Sequence, residues 1–418
     1  MNVPFLLLTI STILALSTLP TLASPPLPQN VESILNPKVF TELQAKYDRL
    51  TETHVIERER LGRGKFTYAV HRIKRRRKAG IDGGAVVGSG GGGAEGGDEE
   101  GRVDVGDSQI VDDEDELVIK VLKPTHSARV IREVCTLLSL PRTPLLPRLV
   151  SLRFISSHNS TVLTYPTVSS YLSCPKGSTV AVLVMSTLPG ARALIPPPPI
   201  SPPSPPRPPP YRTLHSFLTS LAKVHSAGYV HLDVKPGNVA AASPAPPSPF
   251  NSTPPVPPAM LLDFGLSTPS GNLHSHRVGT MNYKPPEIWR PDKGWTGEGV
   301  DAWGAGCVVV EVSRNWLRER GEGRGGGGEK VYRGRGRMFP GRSREKIERA
   351  QRRWRERRRK GGGVDWGVGE GGEGGWMEEE RLFMERMERI IEGLLEWDLG
   401  KRWSVERALE EEWWADVL

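Results

Sequence analysis

The chain has 418 residues and only three cysteines, which excludes a disulfide-dense secreted scaffold. Glycine and proline contribute 46 and 38 residues, one fifth of the chain, and their clustering leaves one domain of about 250 to 300 residues. The segment 342–360 holds 11 basic and 3 acidic residues. It accounts for the whole formal net charge of +8, so the basic balance says nothing about the core.

The N-terminal segment 1–24 begins with an apolar run from Phe5 to Leu19. This run is too short to cross a membrane but is typical of a signal peptide. Two observations oppose that interpretation: no Lys or Arg precedes the run, and the odd cysteine count favours a reducing compartment. A secretory signal, an organellar address and a faulty gene start are all open explanations.

Low-complexity stretches punctuate the rest of the chain, at about 76–113, 195–210, 243–258 and 318–375. Segments of ordinary globular periodicity lie between them, which indicates one domain with long surface insertions. The last stretch contains Ile347, Gln351 and Trp354 on one helical stripe among arginines. We expect most of it to be a solvated, disordered insert.

Three weak signals come first in chain order. The segment LGRGKFTYAV contains Gly62 and Gly64, a pattern that any hairpin turn can hold. The predicted strand ELVIKVL carries Lys120, and an isolated strand lysine usually faces solvent. HSARVIREVCTLLSL has helical spacing with Glu133 at the edge of its apolar face. This glutamate can therefore face the strand lysine.

The decisive signals follow a predicted helix. The stretch YVHLDVKPGNVA places Asp233, Lys235 and Asn238 on a loop, and AMLLDFGLST places Asp263 directly after an apolar strand. Loop carboxylates usually cap turns. Here, however, all the spacings fit one mechanism.

In this order, the motifs resemble those of the eukaryotic protein kinases. Gly62 and Gly64 resemble the loop that covers the ATP phosphates, Lys120 the lysine of the third strand, and Glu133 its partner on the following helix. HLDVKPGN is similar to the catalytic loop, and the DFG motif begins at Asp263. The downstream blocks also fit the family.

The downstream resemblance implies three further roles. GTMNYKPPE is similar to the end of the activation segment and finishes at Glu287. Asp301, in VDAWGAG, is expected to brace the backbone of the catalytic loop. Arg402 is expected to pair with Glu287.

The resemblance implies an α+β, two-lobed fold with long low-complexity insertions. We expect the kinase domain to span 55–415, preceded by an N-terminal extension at 25–54. A small β-rich N-lobe is predicted at 55–187 and a larger helical C-lobe at 211–415. No membrane span is expected in the domain.

The resemblance also implies the cofactors ATP and Mg²⁺ and the residues that bind them. Asp233, Lys235, Lys120 and Glu133 would be catalytic, and Asn238 and Asp263 would bind the metal through oxygen atoms. The nucleotide-binding positions would be Leu61, Gly62, Gly64, Lys65, Phe66, Ala69, Lys120, Met185, Asn238 and Asp263.

This sequence departs from the family pattern at several positions. Thr67 replaces the third glycine of the phosphate loop, and Pro285 replaces an alanine near the end of the activation segment. Leu232 replaces the arginine before the catalytic aspartate, which normally receives an activation-loop phosphate. None of these changes removes a ligand, so we expect an active enzyme that is not switched by that phosphate.

Within the family, IKVLKPTHSARVIREVCTLLSL is similar to the replication-initiating cell-division-cycle-seven kinases. VAVLVMSTL resembles their fifth strand and hinge, with Met185 as the gatekeeper of the nucleotide pocket. The subgroup resemblance implies an activating regulatory subunit and a nuclear or cytoplasmic location, which conflicts with the signal-like N-terminus. Lys235 in the catalytic loop points to protein Ser/Thr substrates over Tyr. The proline-rich and Arg/Gly-rich insertions are compatible with SH3-type and nucleic-acid partners, although a solvated insert is the simpler interpretation.

A second hypothesis belongs to another class: a pseudokinase scaffold that acts through these insertions. The complete set of catalytic residues argues against it. Phosphoryl transfer from Mg-ATP by the purified protein would separate the two.

Overall fold

The computed structural model describes most of the periodic segments and few of the predicted insertions. The described residues are 31–62, 67–75, 116–123, 127–156, 162–165, 168–173, 179–188, 190–195, 207–242, 259–271, 278–290, 295–322, 337–366 and 377–418. The predictions for segments 1–24, 76–113 and 243–258 lie outside them, as do most of the proline-rich stretch and the Arg-Gly pairs.

Short strands and helices make up the described residues. The strands are β1 (His54–Gly62), β2 (Thr67–Arg75), β3 (Glu116–Leu122), β4 (Leu149–Ser156), β5 (Val162–Leu163), β6 (Thr179–Thr187), β7 (Arg192–Ala193), β8 (Tyr229–Val230), β9 (Val239–Ala241), β10 (Ala259–Leu261) and β11 (Thr268–Pro269). The α-helices are α1 (Val31–Ile34), α2 (Pro37–Thr53), α3 (Ser127–Ser139), α4 (Val168–Leu172), α5 (Tyr211–Ser226), α6 (Gly297–Glu322), α7 (Arg344–Arg359), α8 (Glu378–Leu394) and α9 (Val405–Leu409).

An antiparallel sheet forms the N-terminal lobe, with the strand order β1-β2-β3-β6-β4-β5. Its inner strands are runs of β-branched and aliphatic residues, and every residue of β6 is buried. In register, Lys120 of β3 lies between Val70 and Leu183. The predicted strand lysine is therefore at the centre of the sheet and not at a solvent-facing edge.

Helix α3 packs on this lobe through Val130, Ile131 and Val134, all of which are buried. These positions lie on one face of a helix, as their spacing predicted. The same helix also packs against the 3₁₀ turn Phe264–Leu266 of the other lobe. It therefore connects the two lobes at the candidate site.

The two N-terminal helices belong to the packed lobe. Phe40 of α2 is fully buried and stacks on Phe154 of β4 at a centroid distance of 5.6 Å. Leu35, between the two helices, is fully buried in the same cluster as Ile131. The sheet therefore covers the apolar stripe of α2, which lies in the predicted N-terminal extension before residue 55.

The C-terminal lobe is helical. Its centre is α6, whose Trp303 is fully buried and stacks on Phe339 at 5.3 Å. Small antiparallel ladders, β10-β9-β7 and β11-β8, lie on this helical core. They bracket the catalytic loop between β8 and β9 and place Asp263 just beyond β10.

The described parts of the predicted insertion at 318–375 are helical and pack on the core. Residues 318–322 continue α6, and α7 packs on the core through Ile347 and Trp354, which are 0% and 7% exposed. Gln351 is buried between them and donates to the carbonyl of Lys284 at 2.7 Å. The arginines dominated the composition, but they occupy the outer face of a helix whose inner stripe is apolar.

The described residues therefore form the predicted α+β architecture, with a small β-rich lobe and a larger helical one. Among the described helices, none is both long and apolar enough to cross a membrane.

Docking of α2 should contribute measurably to stability. We expect Phe40→Ala to lower the free energy of unfolding by about 3 to 5 kcal/mol, because it removes a buried ring and leaves a cavity. Denaturant titration measures this loss. The exposed Lys46→Ala on the same helix should change stability by less than about 0.5 kcal/mol. A loss below about 1 kcal/mol for Phe40→Ala would contradict the docking.

Candidate active site

A buried ion pair lies at the junction of sheet and helix. The Nζ of Lys120 is 2.5 Å from Oε1 of Glu133, and the two residues are 5% and 1% exposed. Burial alone would lower the pKa of Lys120, but the nearby carboxylates of Asp263 and Glu133 outweigh it and raise that pKa. The ammonium therefore stays charged at the centre of the site.

The catalytic-loop residues form a closed hydrogen-bond network around Asp233. Lys235 Nζ lies 2.6 Å from Oδ2 of Asp233, and the Thr280 hydroxyl donates to Oδ1 at 2.7 Å. Asn238 Nδ2 donates to Oδ2 at 3.1 Å and to the Asp233 carbonyl at 2.9 Å. Lys235 also donates to Thr280 at 2.8 Å. The network fixes the carboxylate beside a cation and a hydroxyl.

Asp301 of α6, which is fully buried, holds the backbone of this loop. Its carboxylate accepts from the amide of His231 at 2.6 Å and from that of Leu232 at 2.7 Å. Leu232 adopts a left-handed conformation with φ 64°, which is unfavourable for a bulky residue unless the surroundings fix it. The predicted bracing by Asp301 is confirmed.

Asp263 lies just before the 3₁₀ turn Phe264–Leu266 and also adopts a left-handed conformation, with φ 65°. Oδ1 of Asp263 lies 3.0 Å from Lys120 Nζ and 3.1 Å from the guanidinium of Arg129, which also lies 3.2 Å from Oδ2. Burial would raise the pKa of Asp263, but the charges of Lys120 and Arg129 hold it well below its usual range. Sequence reasoning missed Arg129, although its place four residues before Glu133 puts both on one helical face.

Two oxygen-bearing side chains fit the predicted magnesium site by chemical type. They are the ionised carboxylate of Asp263 and the amide of Asn238, whose nitrogen donates to Asp233 and whose oxygen would be the ligand. No cluster of three or more His, Cys, Asp or Glu residues suited to a metal occurs within the described residues.

The structure places the nucleotide-pocket residues on adjoining strands. Gly62 ends β1 opposite Val70, and Leu61 beside it is 40% exposed. Ala69 of β2 and Met185 of β6 are buried. The three predicted loop positions Gly64, Lys65 and Phe66 lie outside the described residues.

The segment 278–290 closes over the catalytic loop. Gly279 has φ 83°, and a Cβ there would lie 2.7 Å from the carbonyl oxygen of Leu232, so only glycine fits. Leu232 is 1% exposed and belongs to one apolar cluster with Val230, Val278, Ile288, Trp295 and Val300. Apolar contact thus joins the catalytic loop to this segment.

The segment is anchored at its far end by an ion pair. Arg402 donates to both carboxylate oxygens of Glu287, at 2.6 and 3.1 Å. Both side chains are at most 9% exposed, so this two-point geometry is shielded from solvent. The predicted pairing is confirmed.

Comparison with known proteins agrees with this geometry. Residues 211–414 match the protein kinase domain family. Over 109 residues the chain is 36% identical to mitogen-activated protein kinase 14C of Drosophila melanogaster, a match covering 26% of this chain and 27% of that protein.

Two further relatives give the same picture. Mitogen-activated protein kinase p38a of D. melanogaster is 32% identical over 24% of each chain. Serine/threonine-protein kinase crk1 of Schizosaccharomyces pombe is 34% identical over 23% of this chain and 25% of its own. The matches span about a quarter of these relatives. They support the protein kinase superfamily, and the fold is that of a protein kinase domain.

A buried histidine reinforces Asp301. His225 Nε2 lies 3.1 Å from Oδ2 of Asp301, and Nδ1 lies 3.6 Å from Glu406. Burial alone would lower the pKa of His225, but its hydrogen bond to Asp301 and the two negative charges raise it to about 9. The catalytic loop is therefore supported by an imidazolium–carboxylate pair.

This pair predicts a pH dependence of stability. The pKa of His225 rises from 6.5 to about 9 on folding, so its contribution is full below pH 6.5 and lost as the pH rises through 9. The loss of unfolding free energy caused by His225→Gln should be larger near pH 6 than near pH 10 by at most about 3 kcal/mol, because only the charged imidazole makes the ion pair. A His225→Gln difference that grows with pH would refute the pairing.

Proposed function

We propose that the protein transfers the γ-phosphate of ATP to serine and threonine hydroxyls of other proteins. The observation that carries this proposal is the network of Asp233, Lys235, Thr280 and Asn238 facing the Lys120–Glu133–Asp263 cluster. A carboxylate that can accept a hydroxyl proton thus faces cations that can hold phosphates, which is what phosphoryl transfer requires.

Each residue would have a distinct task. Lys120, oriented by Glu133, would bind the α- and β-phosphates. Asp233 would accept the proton of the substrate hydroxyl, and Lys235 would neutralise the γ-phosphate as it moves. Mg²⁺, when bound by Asp263 and Asn238, would supply further charge neutralisation.

Two observations support Ser/Thr over Tyr acceptors. Lys235 stands in the catalytic loop where, by the resemblance, a lysine indicates Ser/Thr substrates, and it donates to Thr280 at 2.8 Å beside Asp233. The printed name of the relative crk1, a serine/threonine-protein kinase, points the same way.

A narrower proposal concerns the subgroup. The short spacing from Lys120 to Glu133 and the sequence of α3 support a relationship to the cell-division-cycle-seven kinases, with an activating subunit as partner. Activity of the isolated chain compared with activity in a cell extract tests whether such a subunit is needed. A fully active isolated chain would contradict that need.

Removing the Asp263 carboxylate should abolish transfer. Asp263→Asn replaces an ionised ligand for a hard cation with a neutral amide, and we expect a loss of at least about a thousandfold in Mg-dependent transfer with a native circular dichroism spectrum. Glu385→Gln, an exposed carboxylate on α8, is the matched control. Wild-type turnover by Asp263→Asn would contradict the assignment, and an inactive wild type would favour the scaffold hypothesis.

Activation-segment phosphorylation should not be the master switch. Leu232 stands where an arginine would receive the phosphate, and it is buried in an apolar cluster. Protein treated with phosphatase should therefore keep most of its specific activity, with mock-treated protein as the control. The segment hydroxyls to be mapped by mass spectrometry are Ser267, Thr268, Ser270, Ser275 and Thr280. A loss of about a hundredfold or more would show that another group receives a regulatory phosphate.

A further inference from the structure

Arg129 contacts the carboxylate of Asp263, which the proposed reaction needs as a metal ligand. One guanidinium nitrogen lies 3.1 Å from Oδ1 and 3.2 Å from Oδ2 of Asp263, while Lys120 lies 3.0 Å from Oδ1. The Arg129 side chain is 8% exposed. A buried cation of the chain itself therefore holds the atoms that a divalent ion would bind.

The position of Arg129 is defined by packing as well as by charge. A Cβ at Gly265 would lie 2.4 Å from the Nε of Arg129, so the side chain lies directly against that glycine. Arg132, on the same helix and fully buried, donates to the Gly265 carbonyl at 2.9 Å. Two arginines of helix α3 thus contact the turn after Asp263.

The remaining acceptor capacity of Asp263 is small. A carboxylate offers about four lone-pair sites, and the three contacts above engage both of its oxygens. A divalent ion that binds Asp263 through both oxygens must displace Arg129. An ion that binds through Oδ2 alone still has a guanidinium next to it, and like charges at such a distance repel in a poorly solvated site.

We propose that Arg129 competes with the divalent cation for Asp263, and so sets how much metal the nucleotide site requires. The proposal rests on the proposed function, whose metal site it describes further. Glu133 lies one helical turn from Arg129 on α3, so a movement of the whole helix would also break the Lys120 pair. The Arg129 side chain alone must therefore move aside when the metal binds.

Metal titration of three variants tests the competition. Arg129→Gln removes the charge, Arg129→Lys keeps it without the planar fork, and Arg353→Gln changes an exposed arginine of α7. Electron paramagnetic resonance would measure Mn²⁺ binding without nucleotide, with Asp263→Asn as the blank. Calorimetry would measure binding of a non-hydrolysable ATP analogue at rising Mg²⁺.

We expect Arg129→Gln to lower the half-saturating concentration of both metals by about tenfold or more, because a charge-assisted hydrogen bond has at least that weight. Arg129→Lys should lower the half-saturating concentration by about threefold. If Arg129→Gln does not fold, the result for Arg129→Lys tests the competition in its place. Arg353→Gln should match wild type. If Arg129 only stabilised the turn, its replacement would raise the half-saturating metal concentration, since a disordered turn binds metal less well.

Unchanged or weaker metal binding in the Arg129 variants would overturn the inference, as would the absence of any Mn²⁺ binding that depends on Asp263. Failure of the wild-type protein to bind the ATP analogue at any Mg²⁺ concentration would instead overturn the proposed function. The two failures are therefore distinguishable.

Discussion

The catalytic loop depends on one buried carboxylate, that of Asp301. A fully buried charge is costly unless it is paired and hydrogen-bonded, and Asp301 meets this condition with the amides of His231 and Leu232 and the imidazole of His225. These contacts hold Leu232 in a left-handed conformation that it would not adopt alone. The turn at Leu232 then sets the direction in which the side chain of Asp233 points from the loop.

Helix α3 carries the second constraint, since it presents opposite charges on one face. Glu133 pairs with Lys120 in the N-terminal lobe, while Arg129 pairs with Asp263 at the other lobe. The four groups balance to zero net charge, which allows them to be buried together. One helix thus couples Lys120 to Asp263, and displacement of either ion pair would disturb the other.

Sequence reasoning worked where a contact is encoded in a linear motif. The pairing of Lys120 with Glu133 and of Glu287 with Arg402 followed from the resemblance of these motifs to those of protein kinases. It could not give the contact of Arg129 with Asp263, because that contact depends on how closely a turn of one lobe approaches a helix of the other. It also misjudged α7, where arginines on the outer face concealed the buried stripe ending at Trp354.

The substitution at Leu232 and the contact at Arg129 have a joint consequence. An arginine at position 232 would need an added phosphate to fix the activation segment, whereas the apolar cluster around Leu232 is present without modification and is insensitive to salt. Apolar contact therefore packs the segment 278–290 on the catalytic loop. The charged contact of the site lies instead at Asp263, where the guanidinium of Arg129 contacts both carboxylate oxygens. Under the proposed function, control of transfer would move from the activation segment to the nucleotide and its cation.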